Sequence, residues 1–463
     1  MSNQTRIHYL SHATVLIRHG DHFLLTDPWY QQPAFGSWLP IPPMAIHPSY
    51  LVALASRPHS FCRLISHGHD DHLDDDWLTE FPSHTPVYIS HFASPGVRKR
   101  VERTGLRHIF ELDTSPCDFG PFRLRAFLEP EISLDDSVQV IETPDAAILH
   151  ANDLWQPMRR ELILELRELL ARHPPKRRLY MSQTNQADGY PFIYPQYTEA
   201  ERNSLRREKV ELVVRSGLGN ARDLDCHYFL SYAGHATAFV QNPPDGLAES
   251  RYMPLSKVRT LAENVAPDVE VLDCCAGDCF DFERVEHLLG VRIDDEDIDV
   301  AARAHYRHFG QIDACYTYRF REPSLSAETR QELLSAFITG FDAYVQDGIQ
   351  RKGFRPAVLG KTVALGSADD AFWEAIEIGN GRIPVEPRNP LPVMNSHFKL
   401  ALPLLDRVLL GEVRWEDTYI GYQCEVSKEP RDFHNGDIVR WMGMFGYVYA
   451  LRIAPKLRKA HGL

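Results

Sequence analysis

The stretch SHGHDDHLDD, residues 66–75, decides how the rest of the chain is read. It follows the apolar run CRLIS (62–66) and places His67, His69, Asp71 and His72 within six residues. Imidazole nitrogen and carboxylate oxygen are donors that zinc and iron accept. In an extended loop the side-chain period is two, so His67 and His69 project to one side. Asp71 and His72, further along, reach a second ion close by. The acids Asp74, Asp75 and Asp76 suit the N-terminus of a following helix. Strand, ligand loop and helix together predict a metal centre built on an α/β scaffold.

Working outward, IHYLSHATVLI (7–17) predicts a strand and HFLLT (22–26) its hairpin partner. DPWYQQPAFGSWLPIPP (27–43) is rich in proline and aromatics and reads as a long loop, a length that often carries function. Downstream, strands are expected at 86–90, 122–128, 137–143 and 146–150, and helices at 94–105, 157–172, near 198–208 and at 256–264. Gly217-Leu218-Gly219-Asn220 reads as a turn. Two sheets between helices are expected, in a metal-binding domain over 1–285. A C-terminal α+β region follows over 286–463, with helices near 296–306 and 326–350. There LPLLDRVLLGEVRWEDTYIGY (402–422) reads as an amphipathic helix plus a strand.

The run His67–His72 matches the HxHxDH motif and resembles the metallo-β-lactamase-fold proteins. HYLSHATVLIRHGDHFLLTDPW (8–29) resembles the first strands of that fold, ending in its Asp-Pro. Within the fold, DPWYQQPAFGSW (27–38), MSQTNQADGYPFIYPQYTEAER (181–202) and CHYFLSYAGHATAFVQNPPD (226–245) are similar to the fold domain of the CMP-N-acetylneuraminate hydroxylase branch. The resemblance covers roughly residues 5–285. It implies an αββα sandwich and further ligands.

Asp153, after AAILH, takes the position of the family's metal-bridging aspartate; a helix N-cap is the other reading of it. The family's histidine between the motif and Asp153 has no counterpart, and RAFLEPEISLDDS (125–137) offers Glu129 and Glu131 instead. His150 is an alternative supplier or a core histidine. The last ligand falls on His235 by order along the chain, with His227 as runner-up. His12 is read as a hydrogen-bonding or substrate-facing neighbour. Gln183, Asn185 and Tyr190 lie where relatives shape the pocket. The catalytic roles implied fall on Asp71, Asp153 and His12.

The expected activity is a metal-dependent oxygenase with two metal ions, iron favoured because a glutamate ligand adds oxygen donors. O2 would oxidise a C–H or N–H group of a small polar substrate. The alternative is a dinuclear zinc or manganese hydrolase of an ester, lactone, amide or phosphodiester. Neither half of a Rieske motif occurs in this sequence, so electrons are expected from a separate reductase or from the substrate. No GxGxxG, GxxxxGK[ST] or GxSxG motif is present.

Length and composition set the outer bounds. The 463 residues, 44% hydrophobic and 24% charged, describe an ordinary globular protein. A net charge of -13 disfavours nucleic acid as a partner. No apolar run reaches the ~18 residues of a membrane helix, and the N-terminus has no signal-peptide core, so a cytoplasmic protein is expected. Eight scattered cysteines do not form a disulfide framework; Cys274, Cys275 and Cys279 read as reduced core residues. Oligomerisation is left open.

Overall fold

The computed structural model describes residues 4–30, 32–129, 136–154, 156–185, 188–234, 236–240, 253–288, 298–352, 357–384 and 393–463. Two expected ligands, Glu131 and His235, lie outside the described residues.

Two sheets face one another. The first has eight strands in the order Val285–Glu286, Cys279–Phe280, Thr5–Ser11, Thr14–His19, His22–Thr26, Phe61–Ile65, Val87–Ser90 and Ile109–Leu112. The second has seven, in the order Glu270–Val271, Tyr228–Tyr232, Arg178–Gln183, Ala147–His150, Ser137–Glu142, Phe122–Leu128 and Cys117–Phe119. Alternation along each strand sorts the side chains. Ile7, Tyr9, Val15, Ile17 and Leu24 meet Leu124, Ile148, Leu179 and Leu230 between the sheets. Their neighbours Leu10, Leu16, Phe23 and Leu25 face outward onto Leu51, Leu54 and Trp77 of covering helices. The helices Arg160–Leu170, Glu199–Asp223 and Leu255–Val265 cover the second sheet. Both sheets are mixed, and their parallel parts are covered on both faces, as parallel α/β strands require. This is the expected αββα sandwich.

Three local readings change. The strand expected over 7–17 is two strands, because His12 takes a left-handed φ of 40° and reverses the chain between Ser11 and Thr14. An apolar alternation that continues through a turn conceals it. The helix expected near 198–208 runs from Glu199 to Asp223, opened by a Thr198/Glu201 capping box. Residues 217–220 therefore lie inside it, and Gly217 lets the helix approach Ser182 of the second sheet. Residues 415–420 form a helix, not a strand: Trp415, Thr418 and Tyr419, at i, i+3 and i+4, make its buried stripe.

The C-terminal region adds a five-stranded sheet, ordered Gly381–Ile383, Trp373–Glu377, Thr362–Ser367, Ser396–Leu400 and Cys424–Ser427. Helix Ala327–Lys352 packs against it. This region shares its core with the loop after the third strand. Trp29, Phe35, Trp38, Phe192 and Tyr194 are buried together with Phe337, Leu405, Trp415, Tyr419 and Phe445. At Gly421 a Cβ would collide with the Phe35 carbonyl oxygen, so only glycine lets the two segments touch. All eight cysteines are free. No described helix is long and apolar enough to cross a membrane.

Candidate metal centre

The motif loop leaves strand Phe61–Ile65 at Ser66 and ends at Asp74, whose side chain caps helix Asp75–Glu80 by accepting from the Trp77 amide. Strand Ala147–His150 of the second sheet delivers Asp153 to the same place. The turn at His12 brings a third element in. Two groups of donors converge: His12, Asp71 and His72, all buried, and His67, His69 and Asp153.

Asp153 stands between them. Its Oδ1 is 3.3 Å from His72 Nε2, and its Oδ2 is 3.5 Å from His67 Nε2 and 3.7 Å from His69 Nδ1. One carboxylate oxygen thus faces each group, the arrangement a bridging ligand needs. His67 Nε2 and His69 Nδ1 lie 2.7 Å apart. His12 Nε2 is 3.2 Å from Asp71 Oδ2. His69 is the most open member of the centre, half-buried with its side chain 41% accessible.

The donors fit a metal on their own chemistry. Asp71 Oδ1 is buried and makes no hydrogen bond. A buried polar atom without a partner costs about 1–3 kcal/mol, which coordination of a cation would remove. Charge is also concentrated there. Burial opposes ionisation of Asp153, but His72, His67 and His69 outweigh it and hold the carboxyl well below its ordinary range. Burial likewise disfavours a charged His69, yet Asp153, Asp71 and Glu416 push its pKa up to about 9.

A supporting layer lies behind the donors. Asp27, at the end of strand His22–Thr26, is fully buried. It accepts from the Ser66 amide at 2.7 Å and the Ser66 hydroxyl at 2.8 Å, and lies 2.7 Å from His72 Nδ1. Burial would raise its pKa, but His150 and His72 hold it below the carboxylate range. His150 sits on the far side of Asp27, its Nε2 3.2 Å from Asp27 Oδ2 and its Nδ1 donating to Gln139 Oε1 at 3.0 Å. It buttresses Asp27 and belongs to neither donor group.

The other expected site residues sort differently. Glu129 is buried outside both donor groups, and Arg159 Nε donates to its two oxygens at 3.1 and 3.0 Å. His227 lies beside Glu270, at 3.8 Å. Gln183 is buried beside the centre's frame, its backbone N–H donating to the Asn152 carbonyl. Asn185 is held by Arg206 and by the Gly234 carbonyl. Tyr190 packs on Tyr194 and Tyr197, with Lys428 over its ring.

Sequence reasoning did not single out Asp27, Ser66, Asp70, Arg100 or Arg414 as parts of the site. The Asp-Pro closing HFLLT was the visible sign of Asp27. Arg414 gave none, since it meets the loop from 344 residues away.

Two facing sheets flanked by helices, with a His/Asp loop at the end of a first-sheet strand and an aspartate from the second sheet, define a metallo-β-lactamase-fold protein. The chain resembles the cytidine monophosphate-N-acetylneuraminic acid hydroxylases. It is 34% identical over 454 residues to that of Asterias rubens, covering 93% of this chain and 64% of the relative. It is 26% identical over 267 residues to that of Cricetulus griseus, covering 52% of this chain and 41% of the relative. The chain thus spans less than two thirds of the length of either. No protein-family model matches it. Among solved structures, Igni18, a metallo hydrolase from the archaeon Ignicoccus hospitalis, is 11% identical with a TM-score of 0.39, over 60% of this chain and 97% of its own.

Proposed function

We propose that this protein is a metal-dependent oxygenase with two iron ions, acting on a C–H or N–H group of a small polar substrate. The observation that carries the reading is the likeness to the Asterias rubens hydroxylase, which extends over 93% of the chain. The bound metal would supply activation of O2 in a water-poor site. Inserting one oxygen atom into the substrate and releasing the other as water takes two electrons and two protons. These would come from a separate reductase or from the substrate itself.

The chain's own residues do the positioning. His67, His69 and Asp153 would hold one ion, and His12, Asp71 and His72 the other. Ser66, Asp27 and His150 fix the ring orientations from behind. Substrate would enter on the solvent-accessible side of His69, and the Glu416 carboxylate adds negative charge near that ring. Gln183, Asn185 and Tyr190 would shape the pocket behind that entry. Eight free cysteines suit a reducing, cytoplasmic setting.

A hydrolase with zinc or manganese is the second reading. It is favoured by the donor set itself: four imidazoles against two carboxylates in the two groups, with Glu129 engaged by Arg159. A nitrogen-rich set suits zinc as well as iron.

Oxygen uptake separates the two readings without a known substrate. Dithionite-reduced, iron-loaded protein mixed with O2 should consume it in proportion to bound iron, and zinc-loaded protein should consume none. If iron-loaded protein leaves O2 untouched while zinc-loaded protein hydrolyses esters, lactones or phosphodiesters under nitrogen, the hydrolase reading replaces it.

A further inference from the structure

The middle residue of the ligand loop faces away from the metal donors. Asp70, between His69 and Asp71, turns toward two arginines from different parts of the chain. Arg100, on helix Gly96–Arg103, reaches Asp70 Oδ1 at 2.9 Å. It also donates to the carbonyls of Gly68 at 2.6 Å and Leu73 at 2.8 Å and pairs with Asp75 at 2.8 Å. One guanidinium therefore ties both ends of the loop.

The second arginine comes from the C-terminal region. Arg414, the residue before helix Trp415–Ile420, places Nη2 2.7 Å from Asp70 Oδ2 and 2.7 Å from Asp417 Oδ1. Asp417 in turn accepts from Tyr316 Oη at 3.3 Å, and the Tyr316 amide donates to the Gly36 carbonyl at 2.7 Å. The Gln423 side chain donates to the Phe35 carbonyl at 3.2 Å, and the Ser37 hydroxyl to the Gly421 carbonyl at 2.7 Å. The C-terminal region thus grips both the ligand loop and the loop that carries Phe35 to His69.

We propose that Arg414 is a positioning residue of the metal centre, locking the His67–His72 loop through Asp70, so that the C-terminal region is a working part of the site. The inference rests on the metal-centre reading. The physical argument is one of pre-organisation. Four of the donors sit on this six-residue loop, and a loop free to move must be ordered each time metal binds. Clamping Asp70 from both sides meets that cost on folding. Both oxygens of Asp70 are committed to arginines, one to Arg100 and one to Arg414.

The test is metal affinity of the full chain. Metal-free protein is titrated with Co2+, following its visible absorption bands, and Zn2+ affinity is read by competition with a chelator. Arg414→Gln should weaken both by about 10–100-fold, as loss of a supporting partner does at other metal sites, and alter the Co2+ bands. Arg414→Lys, which can satisfy one carboxylate, should recover part of the loss. Arg431→Gln is the control. Arg431 also joins the C-terminal region to the rest, pairing with Glu201 at 2.6 Å, but it does not touch the ligand loop.

The proposal is overturned if Arg414→Gln binds Co2+ as the wild type does, or if Arg431→Gln weakens binding equally. Should Arg414→Gln not fold, Asp70→Asn cuts the same contacts from the other side. It should show the same loss, and wild-type affinity there overturns the proposal. A wild-type chain that binds neither metal removes the metal-centre reading itself, a result distinct from either.

Discussion

His72 Nδ1 lies 2.7 Å from Asp27 Oδ2, and both side chains are fully buried. Asp27 is held ionised, so it accepts, and the proton of the ring sits on Nδ1. That leaves Nε2, which faces Asp71 and Asp153, as the ring nitrogen that would bind a metal. Asp27→Asn keeps the shape and removes the charge, and asparagine tolerates the left-handed φ of 36° at this position. Metal affinity should fall about 10-fold, the low end for a supporting residue, with the fold intact by circular dichroism.

Asp153 and His69 should differ in how much metal they cost. Asp153 faces both donor groups, whereas His69 serves one. Asp153→Ala should therefore lose both ions, and His69→Ala should keep about one per chain. Metal analysis of the dialysed variants reads this directly. Equal stoichiometry in the two variants would argue against a bridging role.

Glu129 should behave as a stability residue. Its carboxylate is fully buried, and Arg159, 40% exposed, donates to both oxygens. Arg159→Ala leaves that charge without its partner and should cost about 1–3 kcal/mol in urea unfolding. Glu129→Gln should lower stability by less and leave the metal content unchanged. A loss of metal in Glu129→Gln would restore the carboxylate ligand expected from the sequence.

His397 gives the C-terminal sheet a pH dependence. Burial, aided by Lys399, lowers its pKa from 6.5 to about 4. In the unfolded chain it titrates at its ordinary value. Between pH 6.5 and about 4 the unfolded state therefore binds a proton that the folded state does not. Stability from this group is complete above pH 6.5 and is lost as pH falls through that window. His397→Phe, which keeps a ring against Trp373 at 4.1 Å centroid distance, should show a smaller drop in melting temperature from pH 7.5 to 5.

The fold was legible in the sequence because its signals were local. The His/Asp run, the strand before it, and the Asp after AAILH each announce themselves within a few residues. What was not legible depended on partners far along the chain. The turn at His12 hid inside an unbroken alternation of apolar residues. Glu129 has the right residue type at the right place in order, and only the packing of Arg159 against it shows where its charge goes. Asp70 looks like a spacer between ligands until Arg414 arrives from the C-terminal region. Glu131 and His235 lie outside the described residues.

Metal identity tests the central claim most directly. Protein produced in medium supplied with iron, zinc and manganese, purified under nitrogen, should carry about two iron ions per chain, held as a coupled pair by Mössbauer spectroscopy. Two zinc ions per chain, with no iron taken up by the metal-free protein, would contradict the oxygenase account.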